Sequence, residues 1–409
     1  MAKSSLTIGT PGDILVVGGG PLGVSTARAL ARALRDTSRS VHLVDSNRVL
    51  EGDFGGLSMS CPHAAGQIII HSFEEGSLAK DLGRSTLQSM RELTRAGVLH
   101  AEPRPWLVCA GNGDGPLDLA VREVLDSALR DGRLEGCDRL HGDALPDVPG
   151  LRADRVAFAV RDGGALGLDP RRFVVDLTRW ALEEPNVEAH FGYRITGFDG
   201  THFLAESTRD KLAIRADSVV LCVGVHRDLF PEALPPGYAV HLHVFDHRSP
   251  GHLPVMRHSV AGATAVARYE GFGPGRRRIV PHLSEAARAL DINALFTDVP
   301  GLRRMLDTHI RDETEAVAQT DRSRTAIGDE LETFIEPRLL LGRVQSDLAI
   351  TETAIARYVK CPRDGDDPVL QFLDAPLPAL YVQPSDGRGL CQSIALGELA
   401  AKTLLAAVG

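Results

Sequence analysis

The residues with the clearest chemical meaning lie near the N-terminus. Gly18-Gly-Gly20-Pro-Leu-Gly23 fits the pattern GxGxxG and follows a short apolar run, Ile14-Leu-Val-Val17. In such a pattern the first glycine permits a tight turn. The second lets the backbone approach a pyrophosphate, and the third lets the following helix pack closely on its strand. A helix opening at Pro21 and Leu22 would aim free N–H groups and a positive dipole end at phosphate oxygens. Asp45 lies 22 residues after Gly23, at the end of a second apolar run, Val41-His-Leu-Val-Asp45. A carboxylate there can accept hydrogen bonds from a ribose diol. Strand, glycine turn, helix, strand and acid together predict a βαβ unit that binds a dinucleotide. The motif leaves FAD and NAD open.

The elements that must hold these residues follow from the apolar spacing. Val24 to Arg35 has helical periodicity, with Ala27, Leu30, Ala31 and Leu34 on one stripe. Residues 52–70 are rich in glycine and small side chains and read as a compact loop entering Ile68-Ile-Ile70. Residues 77–97 read as a helix. The stretch 101–168 is mixed, with strand candidates at Trp106–Cys109 and Val156–Val160. Asp169-Pro170 resembles a helix start. Strands are expected at Val187–His190, Tyr193–Phe198 and Ser218–Val223, the last ended by Gly224. Residues 239–283 alternate as an antiparallel sheet would, and 284–320 read as helical. Leu380-Tyr-Val382 is a last strand, leading through Pro384 to Gly389 into a helix over Ser393–Ala407.

Composition bounds the function classes. The chain has 409 residues, with 43% hydrophobic and 24% charged side chains. That is ordinary globular usage, enough for two or three domains. The net charge is −9, and only five of the 45 basic residues are lysines. No basic tail stands out, so nucleic acid is not an expected partner. The six cysteines include no CxxC pair, which argues against a disulfide framework or a zinc ribbon. No signal peptide is read at the N-terminus. No run of about 18 apolar residues occurs. A cytoplasmic protein without a membrane partner is the expectation.

Four further segments carry a resemblance. They are Ser60-Cys-Pro-His-Ala-Ala-Gly66, Asp169-Pro-Arg-Arg-Phe-Val-Val-Asp-Leu177, Ala216-Asp-Ser-Val-Val-Leu-Cys-Val-Gly224 and Pro378-Ala-Leu-Tyr-Val-Gln-Pro-Ser-Asp-Gly-Arg-Gly389. In this order, behind the glycine motif, the chain resembles the FAD-dependent amino acid oxidase superfamily, in its glycine oxidase and monomeric sarcosine oxidase branch. The resemblance implies an α/β fold in which a Rossmann-like FAD-binding domain interleaves with an antiparallel-sheet substrate domain. The FAD-binding parts would be 1–75, 150–232 and 375–409, and the substrate domain 76–149 and 233–374.

The same resemblance implies roles. Gly18, Gly20, Pro21, Leu22 and Gly23 would hold the pyrophosphate, and Asp45 the adenosine ribose. Ala64, Ala65 and Gly66 would pass beside the flavin, and Gly224 would end a strand near the pyrophosphate. Asp386, Gly387, Gly389 and Leu390 would lie at the pyrimidine edge, facing the last helix dipole. Tyr358 stands where sarcosine oxidases carry their flavin-linking cysteine, which implies noncovalent FAD. Arg278 stands for the lysine that helps oxygen react, keeping the charge in a planar group. Lys360, Arg388 and Tyr269 would bind the substrate carboxylate.

The implied reaction is oxidation of a glycine-like or N-carboxymethyl amine to an imine. Hydrolysis would give glyoxylate and a free amine, and oxygen would be reduced to hydrogen peroxide. A larger substrate from a specialised pathway would suit the unusual C-terminal loop. Competing expectations are an FAD dehydrogenase with another acceptor and an NAD(P)H-dependent flavin monooxygenase. His241, His243 and His247 alternate in one expected strand, but no acid or cysteine spacing supports a metal site there. Cys391 reads as a small buried residue.

Overall fold

The computed structural model describes residues 5–54, 66–71, 73, 75–112, 116–132, 134–141, 144, 156–224, 229–230, 232–235, 238–248, 255–259, 266–271, 276–281, 350–360, 367–385 and 389–409.

Four apolar runs, Ile14–Val17, Val41–Asp45, Ser218–Leu221 and Ala379–Gln383, lie side by side as parallel strands. They are covered on both faces, which is why they read as continuous apolar runs and do not alternate. Val187–Phe191 adds a parallel strand at one edge, beside Val41–Asp45. Val369–Phe372 adds an antiparallel one at the other edge, beside Ala379–Gln383. This six-stranded sheet is the Rossmann-like core.

Helix α1 (Pro21–Ala33), α2 (Leu78–Arg95), α4 (Pro170–Ala181) and α5 (Gly389–Val408) contribute to a core on one face. Ile14, Val16 and Leu43 meet Leu30, Met90, Phe173, Leu396 and Leu404 there. On the other face Leu15, Val44, Val219 and Tyr381 pack on Phe203 and Ile214. Those two belong to a four-stranded sheet of Ser5–Ile8, Lys211–Arg215, His202–Glu206 and Arg194–Phe198. Asp169 caps α4 as its sequence implied: its carboxylate accepts from the backbone N–H of Arg171 and Arg172.

A second layer is an eight-stranded sheet. Its order is Ile350–Lys360, Tyr238–Arg248, Arg276–Pro281, Val266–Gly271, Val255–Ser259, Trp106–Gly111, Val156–Asp162 and Asp138–Leu140. One pair, Val255–Ser259 with Trp106–Gly111, is parallel and the rest are antiparallel. Helix α3 (Pro116–Arg130) lies in the stretch read only as mixed, and its Leu125 and Ala128 pack on Phe158 and Val160 of this sheet. A small sheet of Gln67–Ile68, Leu166–Leu168 and Ala101–Pro103 completes the described strands.

Pairing moves two strands across the expected division. Val156–Asp162 falls within 150–232 but hydrogen-bonds into the eight-stranded sheet. Val369–Phe372 falls within 233–374 but pairs with the Rossmann strand Ala379–Gln383. A strand's layer is set by its partner, which apolar spacing does not encode. The helix expected over 284–320 lies outside the described residues.

Helix α5 is long and apolar enough to cross a membrane, although no such span was expected from the sequence. Its apolar window is 56% buried, with Leu396, Ala400 and Leu404 in the core beside α1. It reads as a core helix. The α1–α5 contact is close: a Cβ on Gly397 would lie 2.6 Å from Ser25 Cβ and 2.8 Å from the Thr26 backbone nitrogen. Gly397→Ala should therefore cost about 1–3 kcal/mol by overpacking, read as a lower urea midpoint at unchanged slope.

Candidate active site

The inner strands are parallel, so their C-terminal ends open on one edge of the sheet, where doubly wound folds bind ligands. The loops at Gly18–Gly20, Asp45–Asn47, Cys222–Gly224 and Pro384–Ser385 all follow those ends. The Gly18 N–H donates to the Val44 carbonyl and the Cys222 N–H to the Val17 carbonyl, both at 2.8 Å. Gly18 has φ +111°, a region that side chains disfavour. A Cβ on Gly18 would collide with the Cys222 carbonyl, and one on Gly23 with the Gly18 carbonyl oxygen. Gly20 is different: nothing lies within 4 Å of where its Cβ would be. The first turn of α1 holds no acid, and Gly20 offers no side-chain cap. Its N–H groups and positive end therefore face the crevice, suited to an anion.

Asp45 is held from both sides. One carboxylate oxygen accepts from the Gly19 N–H at 2.6 Å, and the other from the Asn47 backbone and side-chain N–H at 2.7 and 2.6 Å. A side chain at Gly19 would reach within 2.9 Å of Asp45 Cβ. Gly19 and Asn47, which hold Asp45 in place, were not singled out by the motif reading. The available signal was an Asx residue two places after a strand-ending acid, where local side-chain bonding is common.

Gly66 has φ +68°, and its carbonyl accepts from the Leu168 N–H at 2.8 Å. This fixes the end of the small-residue loop to the strand that leads into α4. Gly224 (φ +53°) is exposed at the end of its strand. Gly389 and the buried Leu390 open α5. Ala64, Ala65, Asp386, Gly387 and Arg388 lie outside the described residues. Gln392 braces the strand-to-helix turn. Its Oε1 accepts from the Ser385 N–H at 2.8 Å, and its Nε2 donates to Ser385 Oγ at 2.8 Å and to the Ala79 carbonyl at 3.3 Å. Burial pushes the Cys222 thiol up to about 12, so it stays neutral beneath the glycine turn.

On the eight-stranded sheet, register divides the expected substrate-side residues. Arg278 is paired with Asp246 on one side and Glu270 on the other. Lys360 pairs with Tyr238, on the face shared by Asp246. Tyr269 pairs with Met256 and Ile279. Directly paired residues share a face and strand neighbours alternate. Arg278 and Lys360 therefore share one face, and Tyr269 shares the other with Arg277. Followed through Arg268, Arg257 and Val108, the Arg278 face is continuous with that of Val160, which α3 covers. Tyr358 lies in the strand Ile350–Lys360.

The family model for the DAO, or FAD dependent oxidoreductase, family matches residues 13–403. The chain belongs to this family. Among solved structures it is similar to glycine oxidase from Bacillus cereus ATCC 14579, at 14% identity and TM-score 0.68, covering 96% of this chain and 97% of that one. It is also similar to iminodiacetate oxidase from Chelativorans sp. BNC1, at 16% identity and TM-score 0.64, covering 96% and 95%. A third similar structure is NikD, an unusual amino acid oxidase essential for nikkomycin biosynthesis, at 14% identity and TM-score 0.67, covering 97% and 94%. No curated protein matches the chain.

The FAD oxidoreductase family implies a dinucleotide in the crevice, and the residues present fit one. The turn brings backbone where a side chain would block it, Gly20 leaves its face open, and α1 presents N–H groups to an anion. Beyond the crevice, a buried pair stands at an end of the eight-stranded sheet. His71 Nε2 lies 3.3 Å from Asp162 Oδ2, with side chains 9% and 8% exposed. Burial alone would raise Asp162. The His71 hydrogen bond and charge, the Gly164 N–H and Arg91 outweigh it and hold the carboxyl below its ordinary value. Beside them, burial first and then Asp162 push the Cys137 thiol up to about 12.

A carboxyl depressed in the fold contributes stability above its unfolded pKa and loses it as pH falls through the folded value. Asp162→Asn should cost about 1–3 kcal/mol at pH 7 by removing the ionised hydrogen-bond partner of buried His71. In urea unfolding, the gap between wild type and variant should shrink as pH is taken below about 4. An equal gap at pH 7 and pH 3 would sink this account of the pair.

Proposed function

We propose that this FAD oxidoreductase oxidises the C–N bond of a glycine-like or N-carboxymethyl amine. The observation that carries the reading is a fit FAD crevice joined to a broad, mostly antiparallel sheet, in a chain similar over most of its length to proteins named glycine oxidase and iminodiacetate oxidase. FAD supplies the redox chemistry when bound, taking two electrons from the substrate carbon–nitrogen unit and passing them to oxygen. The amine loses two electrons and two protons and becomes an imine. Water adds to the imine carbon, and the C–N bond breaks to give an oxo acid, glyoxylate for a carboxymethyl group, and the free amine. Oxygen takes the electrons and protons and leaves as hydrogen peroxide.

The chain's residues bind, orient and set charge. Gly18, Gly20, Pro21, Leu22 and Gly23 hold the pyrophosphate, and Asp45 takes the ribose diol. Gly66, Gly224, Gly389 and Leu390, with Ala64, Ala65, Asp386 and Gly387, line the cofactor further along. FAD is held noncovalently. Arg388 and Tyr269 are the proposed carboxylate contacts, while register puts Lys360, expected with them, on the face opposite Tyr269. A cation on Arg276–Pro281 would favour oxygen reduction by the bound flavin. Arg278 was the residue expected there, but register gives it two acidic cross-strand neighbours and gives Tyr269's face to Arg277. We therefore place the role on Arg277, with Arg278 as the alternative. The similarity to NikD supports a substrate from specialised biosynthesis.

Three outcomes test this reading. Gly23→Ala should purify with much less FAD, read as the ratio of flavin to protein absorbance. With oxygen excluded, an N-carboxymethyl amine should bleach the wild-type flavin, and readmitted air should release glyoxylate and peroxide in equal amounts. Bleaching by NADPH with indifference to every amine would overturn the reading, and bleaching without peroxide would make the protein a dehydrogenase. Arg277→Met should slow reoxidation by oxygen about tenfold or more, a loss of at least about 1.4 kcal/mol of barrier lowering, with Arg278→Met nearer wild type. The reverse order would restore the role to Arg278.

A further inference from the structure

At the edge of the Rossmann sheet, away from the glycine turn, four polar side chains meet that the proposed reaction does not use. His42 is fully buried near the start of Val41–Asp45. Its Nε2 lies 3.3 Å from Asp13 Oδ2. Asp13 also accepts from the Thr10 N–H at 2.7 Å, the Thr10 hydroxyl at 3.1 Å and the Ser40 N–H at 2.8 Å. Three donors already converge on this carboxylate, so it acts as the acceptor toward His42 as well, and the His42 proton sits on Nε2. In the neutral ring, Nδ1 then carries a lone pair.

That lone pair faces two more ligating atoms. His42 Nδ1 lies 3.2 Å from His190 Nε2 and 3.5 Å from Glu188 Oε2. The parallel register explains the cluster: Glu188 stands directly beside His42, and His190 lies two residues on, along the same face. All three ligand atoms lie within 4.8 Å of one another. A tetrahedral ion with bonds of 2.0–2.1 Å separates its ligands by about 3.3 Å, close to the two spacings seen. The Asp13–His42 bond has the form of the carboxylate that orients a metal-bound histidine. Val187–Phe191 is the edge strand and the Glu188 side chain is half exposed, so an ion has a way in.

We propose that His42, Glu188 and His190 bind one divalent cation of the zinc class, with Asp13 orienting His42 and water as the fourth ligand. The ion ties the edge strand to the strand that ends in Asp45. Its role is structural and independent of the amine oxidation reading.

The test uses the full-length, FAD-loaded protein after chelator treatment. Zn²⁺ should bind at one per chain and raise the melting temperature by about 3–5 °C at saturating metal. Co²⁺ should compete for the site and give the d–d absorption of a tetrahedral nitrogen–oxygen set. His190→Ala and Glu188→Gln should each weaken Zn²⁺ binding at least about tenfold. Asp13→Asn should weaken it by about 10–100-fold. Glu188 is half exposed, so its variant keeps the comparison open should another fail to fold. Zn²⁺ binding absent below millimolar concentration, or binding equally tight in Glu188→Gln and His190→Ala, would overturn the proposal and leave an ordinary histidine–histidine hydrogen bond.

Discussion

Three backbone segments touch where Gly18, Gly23 and Cys222 meet, and no side chain fits between them. That contact lets α1 begin directly against the strand Ile14–Val17 and lets the next parallel strand lie close beside it. Were the segments held apart by a Cβ, the helix N-terminus would back away from the sheet edge, and its N–H groups with it. The crevice is thus a consequence of missing atoms. Its suitability for a phosphate comes from backbone groups already held in place by the packing and hydrogen bonds of the turn.

Side chains then lock the loops around that contact. Asp45 bridges the glycine turn and Asn47, so the acid proposed for the ribose is itself positioned by the loop proposed for the pyrophosphate. Gln392 does the same for the other end of the crevice, joining the turn after Ala379–Gln383 to α5 and α2. The apolar packing of α1 on α5, made close by Gly397, links these two ends through the core. Cofactor site and core stability therefore share residues: a change that loosens α5 moves the turn at its start.

The second layer works by different physics. Its strands are mostly antiparallel, so register decides which residues share a face, and a shift of one residue exchanges the faces. Arg277 and Arg278 are adjacent in the chain yet belong to opposite faces, one with Tyr269 and the other between Asp246 and Glu270. The family match over residues 13–403 and the fold likeness to a solved glycine oxidase agree with this two-layer plan.

What the sequence by itself determined is local. Gly18 to Gly23, Asp45 and the apolar strands around them are read from a period and a motif, because a βαβ turn is built from residues close in the chain. The Asp169 cap and the last helix are legible for the same reason. The tertiary structure alone decided what depends on distant partners. It put Val156–Asp162 in one sheet and Val369–Phe372 in the other, placed Gln392 under Ser385, and gathered His42, Glu188 and His190 from two strands far apart in the sequence. Spacing along a chain carries no record of which strand will lie beside which. That is set by the apolar faces each strand must bury and by the partner that buries them.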